Sequence, residues 1–179
     1  MKKVEISKEL NKNPIILVLL PKTCFSEEVL NLTKEISKKA KKCCFLSLVN
    51  PYSTSLEKFK KNQINSEKFF FIDVLTSSIK KTTDLPNCTF VDSPSNLTKL
   101  SIVYSDLIKI VGIDYAILDS LQTFLVYRNK SMVIQFIQNL ITKSRVDNVK
   151  LLFTATKEEG KEGLVEELST FVDRVIDLG

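Results

Sequence analysis

Tyr115-Ala116-Ile117-Leu118-Asp119-Ser120 is the stretch on which the fold turns. Four residues suited to a core run straight into a carboxylate and a hydroxyl. The run does not alternate, so it predicts a strand buried on both faces, as the central strands of parallel sheets are. Asp119 then falls at the carboxyl end of that strand, the edge at which open α/β sheets bind ligands. The shape is that of a Walker B strand, whose Asp holds Mg²⁺ beside a nucleotide. A strand end whose Asp only caps the following turn reads the same way.

Working outward, similar apolar runs recur at intervals. Ile15 to Leu20, bounded by Pro14 and Pro21, predicts a first strand, and Met1 to Asn13 before it a polar lead-in or short helix. Ser26 is placed to cap a helix reaching Lys42, with Val29, Leu32, Ile36 and Ala40 inward. Glu27 and Glu28 fall in its first turn, and Lys38, Lys39, Lys41 and Lys42 fall near its last, matching the helix dipole at both ends. Further strands are expected at Cys43 to Val49, Phe69 to Ile72, Cys88 to Val91, Val149 to Phe153 and Val172 to Leu178. Helices are expected at Ser55 to Lys61, from Ser93-Pro94-Ser95 to the terminator Gly112, at 131–144 and at Leu164 to Thr170. Thr76 to Lys81 reads as a helical turn, Lys157 to Gly163 as a charged loop, and Leu121 to Tyr127 as apolar and ambiguous. Strands alternating with helices predict a mostly parallel sheet covered on both faces, in one domain over residues 1–179 with 1–13 as an extension.

Composition excludes several chemistries. With 44% hydrophobic and 26% charged residues, the 179-residue chain has the makings of a soluble core. No apolar run is long enough to span a bilayer, and Ile15 to Leu20 lacks signal-peptide flanks, so a cytoplasmic location is expected. There is no histidine, hence no Ser-His-Asp or Cys-His nucleophile. Cys24, Cys43, Cys44 and Cys88 form no CxxC pair and read as reduced, mostly buried thiols. Residues 1–90 carry 16 Lys/Arg against 9 Asp/Glu, and residues 91–179 carry 10 against 12. A basic half attracts nucleic acid or an acidic partner in principle, but lysines at helical spacing with few aromatics among them favour a solvated face.

From residue 69 onward the chain resembles the RecA superfamily, and most of all the archaeal KaiC-like ATPases. The matching pieces are 69–78 (FFFIDVLTSS), 90–102 (FVDSPSNLTKLSI), 115–127 (YAILDSLQTFLVY), 133–145 (VIQFIQNLITKSR), 149–159 (VKLLFTATKEE) and 171–178 (FVDRVIDL). Their order and spacing carry the likeness. It implies a three-layer α/β/α RecA-like domain of P-loop NTPase type, with residues 15–42 in the place of the phosphate-binding unit.

There the chain departs from the family pattern. A P-loop, G-x-x-x-x-G-K-[ST], wraps phosphate with backbone N–H groups and needs its glycines to do so. The four glycines here are Gly112, Gly160, Gly163 and Gly179, none in the first 111 residues. Lys22-Thr23 mimics the end of the motif without a glycine before it. Glu27 and Glu28 stand where phosphate would meet the helix dipole. The carboxylate expected after the second strand is absent from Ser47-Leu48-Val49-Asn50-Pro51. The resemblance therefore implies a degenerate, pseudo-ATPase member with no cofactor, acting as a regulatory or scaffolding protein. Its partner would be an active ATPase of the superfamily or a second copy, with no membrane and nucleic acid not favoured. The alternative is a divergent binder of ATP and Mg²⁺ in which Asp119 holds the metal and Lys22, Thr23 and Ser120 stand near phosphate. A receiver-like domain is set aside because Pro21-Lys22-Thr23 supplies no acidic residues. Asp73, Asp92 and Asp119 all end apolar runs, so a three-carboxylate metal site is a further expectation to test. The 20–26 connection should be tight and leave no anion-sized hollow, with Glu27 and Glu28 facing the phosphate space and Phe25 partly filling it.

Overall fold

The computed structural model describes residues 5–157 and 163–179. The strands are β1 (Ile15–Leu20), β2 (Cys43–Ser47), β3 (Phe69–Asp73), β4 (Cys88–Phe90), β5 (Tyr115–Asp119), β6 (Lys150–Thr156) and β7 (Arg174–Asp177). They form one sheet in the order β4-β3-β2-β5-β6-β1-β7, and every neighbouring pair is parallel. Parallel neighbours need crossovers, and helices supply them. The helices are α1 (Ile6–Lys12), α2 (Phe25–Ser37), α3 (Tyr52–Lys61), α4 (Leu97–Asp106), α5 (Lys130–Val146) and α6 (Leu164–Leu168). The three-layer α/β/α expectation holds.

The two faces of the sheet bury separate cores. Cys43, Phe45, Phe69, Phe71, Tyr115 and Ile117 pack with Leu10 of α1, Val29, Leu32 and Ile36 of α2, and Phe59 of α3. Rings of Phe45, Phe59, Phe69 and Phe71 meet edge-on there, with centroids of Phe59 and Phe69 4.9 Å apart. Cys44, Leu46, Ala116 and Leu118 face the other way, against Leu100, Val103 and Tyr104 of α4, Phe136, Ile137 and Leu140 of α5, and Leu168 of α6. Adjacent residues of β2 and β5 thus feed opposite cores, which is why neither strand alternates in hydrophobicity.

Several element ends differ from the sequence reading. Ser26 does not cap α2. A 3₁₀ turn, Lys22–Cys24, runs directly into a helix that begins at Phe25, with Cys24 at its cap position and no side-chain cap bond. That helix stops at Ser37, so only Lys34 lies in its last turn, and Lys38, Lys39, Lys41 and Lys42 fall beyond it. The chain leaves the helix because Asp114, just before β5, accepts from the backbone N–H groups of Lys41 and Lys42, drawing the segment to the start of β2. Ser93-Pro94-Ser95 does not open α4; Asn96 does, its side chain accepting from Lys99 N–H at 3.1 Å. Beyond Asp106 the helix widens into a π-type turn, Leu107–Val111, and ends at Gly112 with φ 73°, the left-handed terminator expected. Thr76–Ser78 and Leu121–Val126 are 3₁₀ turns. The charged loop expected from Lys157 to Gly163 lies mostly outside the described residues, as does the start of the lead-in before α1.

Candidate functional site

The carboxyl ends of β1, β2, β5 and β6 share one edge of the sheet, and the structure distributes the expected site residues over two separate spaces there. The registers fix the layout: Leu20 of β1 stands opposite Thr156 of β6, and Ser47 of β2 stands between Asp73 of β3 and Asp119 of β5.

Asp119 is buried, 5% exposed, and shares a cavity of about 20 Å³ with Ser26, Asn50, Ser55 and Lys58. It does not cap the following turn, as one reading of the sequence had it. Its Oδ1 has no hydrogen-bond partner among the described residues. Burial pushes its carboxyl up to about 6, against the pull of the Lys58 ammonium and the Thr154 hydroxyl. The Lys58 ammonium donates to the Asn50 side chain at 2.9 Å and closes no ion pair with Asp119. The cavity has room for about one water. Mg²⁺ wants six oxygen ligands in octahedral array, so a single carboxylate beside a lysine in that space does not fit it. A non-proline cis peptide joins Asp119 to Ser120.

Asp73 and Asp92 do not join Asp119. The Asp73 carboxylate accepts from the backbone N–H groups of Tyr52 at 2.8 Å, Leu75 at 2.8 Å and Thr76 at 2.9 Å, and from the Thr76 hydroxyl at 2.6 Å. It thereby caps α3, whose own cap position is Pro51. Asp92 is exposed and bonds Asn96 and Lys99. Among the described residues no group of three His, Cys, Asp or Glu could hold a metal ion, so the three-carboxylate expectation is not met.

The other space is an open hollow of about 540 Å³ bordered by Lys22, Phe25, Ser120, Gln122 and Thr156. It corrects the expectation that the 20–26 connection leaves no hollow. The connection is tight, but the 3₁₀ turns Lys22–Cys24 and Leu121–Val126 stand apart across the ends of β1 and β6 and leave a gap. Phe25 lines the gap; Glu27 and Glu28 do not. The hollow brings Lys22 and Ser120 together, while Thr23 and Asp119 stay outside it. The Ser120 hydroxyl lies 3.1 Å from that of Thr123. Gln122 and Thr156 were not singled out in the sequence. Thr156 lies beyond the apolar run that marks β6, and Gln122 lies in the stretch left ambiguous.

No family model and no curated protein matches this sequence. By structure, the chain is similar to a KaiC-like protein of the hyperthermophilic archaeon Pyrococcus horikoshii, known from its crystal structure. The TM-score is 0.67 at 11% identity, and the match covers 93% of this chain and 74% of that one. At that identity the likeness concerns the fold: a RecA-like α/β architecture around an all-parallel seven-stranded sheet.

Proposed function

We propose that this chain is a KaiC-like, RecA-type domain that has lost ATP hydrolysis and works by binding another protein. The observation that carries the reading is the connection from β1 to α2. Only residues 21–24 separate Leu20 from Phe25, and three of them form a 3₁₀ turn. A P-loop needs about eight residues with glycines at both ends of its wrap. This connection has neither the length nor the glycines to aim a ring of N–H groups at phosphate. Glu27 and Glu28 in the first turn of α2 already use the positive end of its dipole. A regulatory or scaffolding role is what remains to such a fold once nucleotide turnover is gone.

The second reading, a divergent ATP binder, is favoured by one observation: Lys22 and Ser120 border the same hollow. The donor set around Asp119 opposes its metal half. Calorimetry with ATP-Mg²⁺ and a phosphate-release assay separate the two. The expected result is no binding heat and no turnover above background. Turnover that disappears in Asp119→Ala would defeat the interaction-domain reading.

A further inference from the structure

Lys38-Lys39-Ala40-Lys41-Lys42 lies past the end of α2, so its lysines do not sit in the last turn of that helix. Lysines near a helix end ordinarily answer its last carbonyls. Lys68 does that here: its ammonium donates to the carbonyls of Ser37 and Ala40, at 3.0 Å each. Lys42 reaches the carbonyl of Val111 at 2.8 Å. Lys38, Lys39 and Lys41 are exposed, and among the described residues their ammonium groups make no hydrogen bond or ion pair. The same holds for Lys60 and Lys61 at the end of α3. In a parallel sheet the crossover helices run back against the strands, so helix ends and strand starts share one edge. There β2 and β3 are neighbours, with Cys43 opposite Phe69, so segments 38–42 and 60–68 lie side by side and Lys68 ties them together. Glu57 and Glu67 are the exposed carboxylates beside these lysines, and the Asp114 carboxylate is taken up by the backbone N–H groups of Lys41 and Lys42. The outcome is a basic rim whose free lysines hold no part of the fold together.

We propose that this rim binds the phosphate backbone of a nucleic-acid duplex without reading its sequence. The inference goes beyond the interaction-domain reading, and the rim lies at the opposite edge of the sheet from the hollow beside Lys22. Helical spacing favours a solvated face because lysines on a regular helix spread around it; ending α2 at Ser37 removes that reason. Sequence-independent binding to a duplex is carried by cationic side chains that neutralise phosphates and release counterions. Segments 38–42 and 60–68 hold lysines and no arginine, whereas protein interfaces are enriched in arginine and depleted in lysine. No large apolar side chain is exposed within 25–48 or 50–78. The rim therefore has nothing to stack on unpaired bases and no anchor to enter a bilayer.

The test is fluorescence anisotropy of a labelled DNA duplex of about 20 base pairs, titrated with the full chain at about 50 and 200 mM salt. Binding is expected at the lower salt and should weaken about a hundredfold at the higher, as for about four neutralised phosphates. A duplex of unrelated sequence is expected to bind equally. Lys38→Gln/Lys39→Gln should lower the slope of log affinity against log salt by about two. Lys80→Gln/Lys81→Gln removes the same charge elsewhere, near Thr76 and the carboxyl end of β3, and should leave the slope unchanged. No binding at the lower salt, or equal losses in the two variants, would overturn the inference. So would polyglutamate or phosphatidylglycerol vesicles displacing the duplex as readily as unlabelled duplex does at equal charge, since the rim would then fit an acidic protein or a membrane as well. The phosphate-release assay bears on the other edge alone, so the two readings fail separately.

Discussion

Asp119 and Asp73 end strands on either side of β2, in register with the same Ser47, yet they sit in opposite chemical states. Among the described residues Asp73 has four donors on its carboxylate and Asp119 has an oxygen with none. The pH dependence of stability follows for Asp119. Its carboxyl titrates near 3.8 when exposed and is pushed up to about 6 in the fold by burial. Between those values the folded chain holds the proton more tightly than the unfolded one, so stability falls as pH rises through that window. The loss is complete above about pH 6 and amounts to about 3 kcal/mol at most, at 1.36 kcal/mol per unit. Asp119→Asn removes the ionisation. Urea unfolding of both proteins at pH 5 and pH 7.5 is expected to show the variant gaining on the parent at the higher pH. Parallel behaviour at both pH values would mean that the ionised Asp119 is paired. The sequence singles out Asp119 by its place at the end of an apolar run, but its state is not legible there. That state depends on Lys58 and Thr154, which lie 61 and 35 positions away in the chain.

At the scale of elements, strands were more legible than helix ends, and the reason is physical. A strand buried on both faces announces itself by composition, so β1, β3 and β5 fall where their apolar runs do. A helix start is set by whatever satisfies its first N–H groups, and that partner need not be nearby in sequence. The start of α3 is capped by Asp73 from β3, and the segment after α2 is held by Asp114. Neither could be read from the helices themselves. Ser26 illustrates the converse: a good capping residue was bypassed because the 3₁₀ turn before it already delivered the chain into helix. The Asp73 cap is open to a direct trial. Asp73→Ala strips the partner from three backbone N–H groups and a hydroxyl, and should destabilise the fold by about 3 kcal/mol, since lost bonds to a charged acceptor at a buried site cost that order. Asp73→Asn keeps an acceptor and should cost less than half as much. Thermal or urea unfolding of the pair gives the comparison; equal, small losses would show that Asp73 is not what holds the start of α3.

For the whole molecule, the open question is whether two cores on opposite faces of one sheet behave as a unit, and the thiols are placed to answer it. Cys43 packs on the side of α1, α2 and α3; its neighbour Cys44 packs on the side of α4, α5 and α6. Cys88 lies in the edge strand β4, and Cys24 stands half-exposed at the start of α2. Burial raises the thiols of Cys43 and Cys44 well above the ordinary range, and that of Cys88 to about 12. Thiolate is the reactive form, so those three should be silent toward a disulfide reagent until the chain opens. The expected result is one fast-reacting thiol, Cys24, in the folded protein and four in urea. Single-cysteine variants retaining only Cys43 or only Cys44 then report on each core in turn. If the two layers open cooperatively, both label at one rate, and that rate matches global unfolding. A sheet whose central strands feed both cores through alternating residues cannot expose one face without loosening the strands that hold the other, so equal rates are expected. Faster labelling of Cys44 than of Cys43 would instead show the α4–α6 layer detaching on its own.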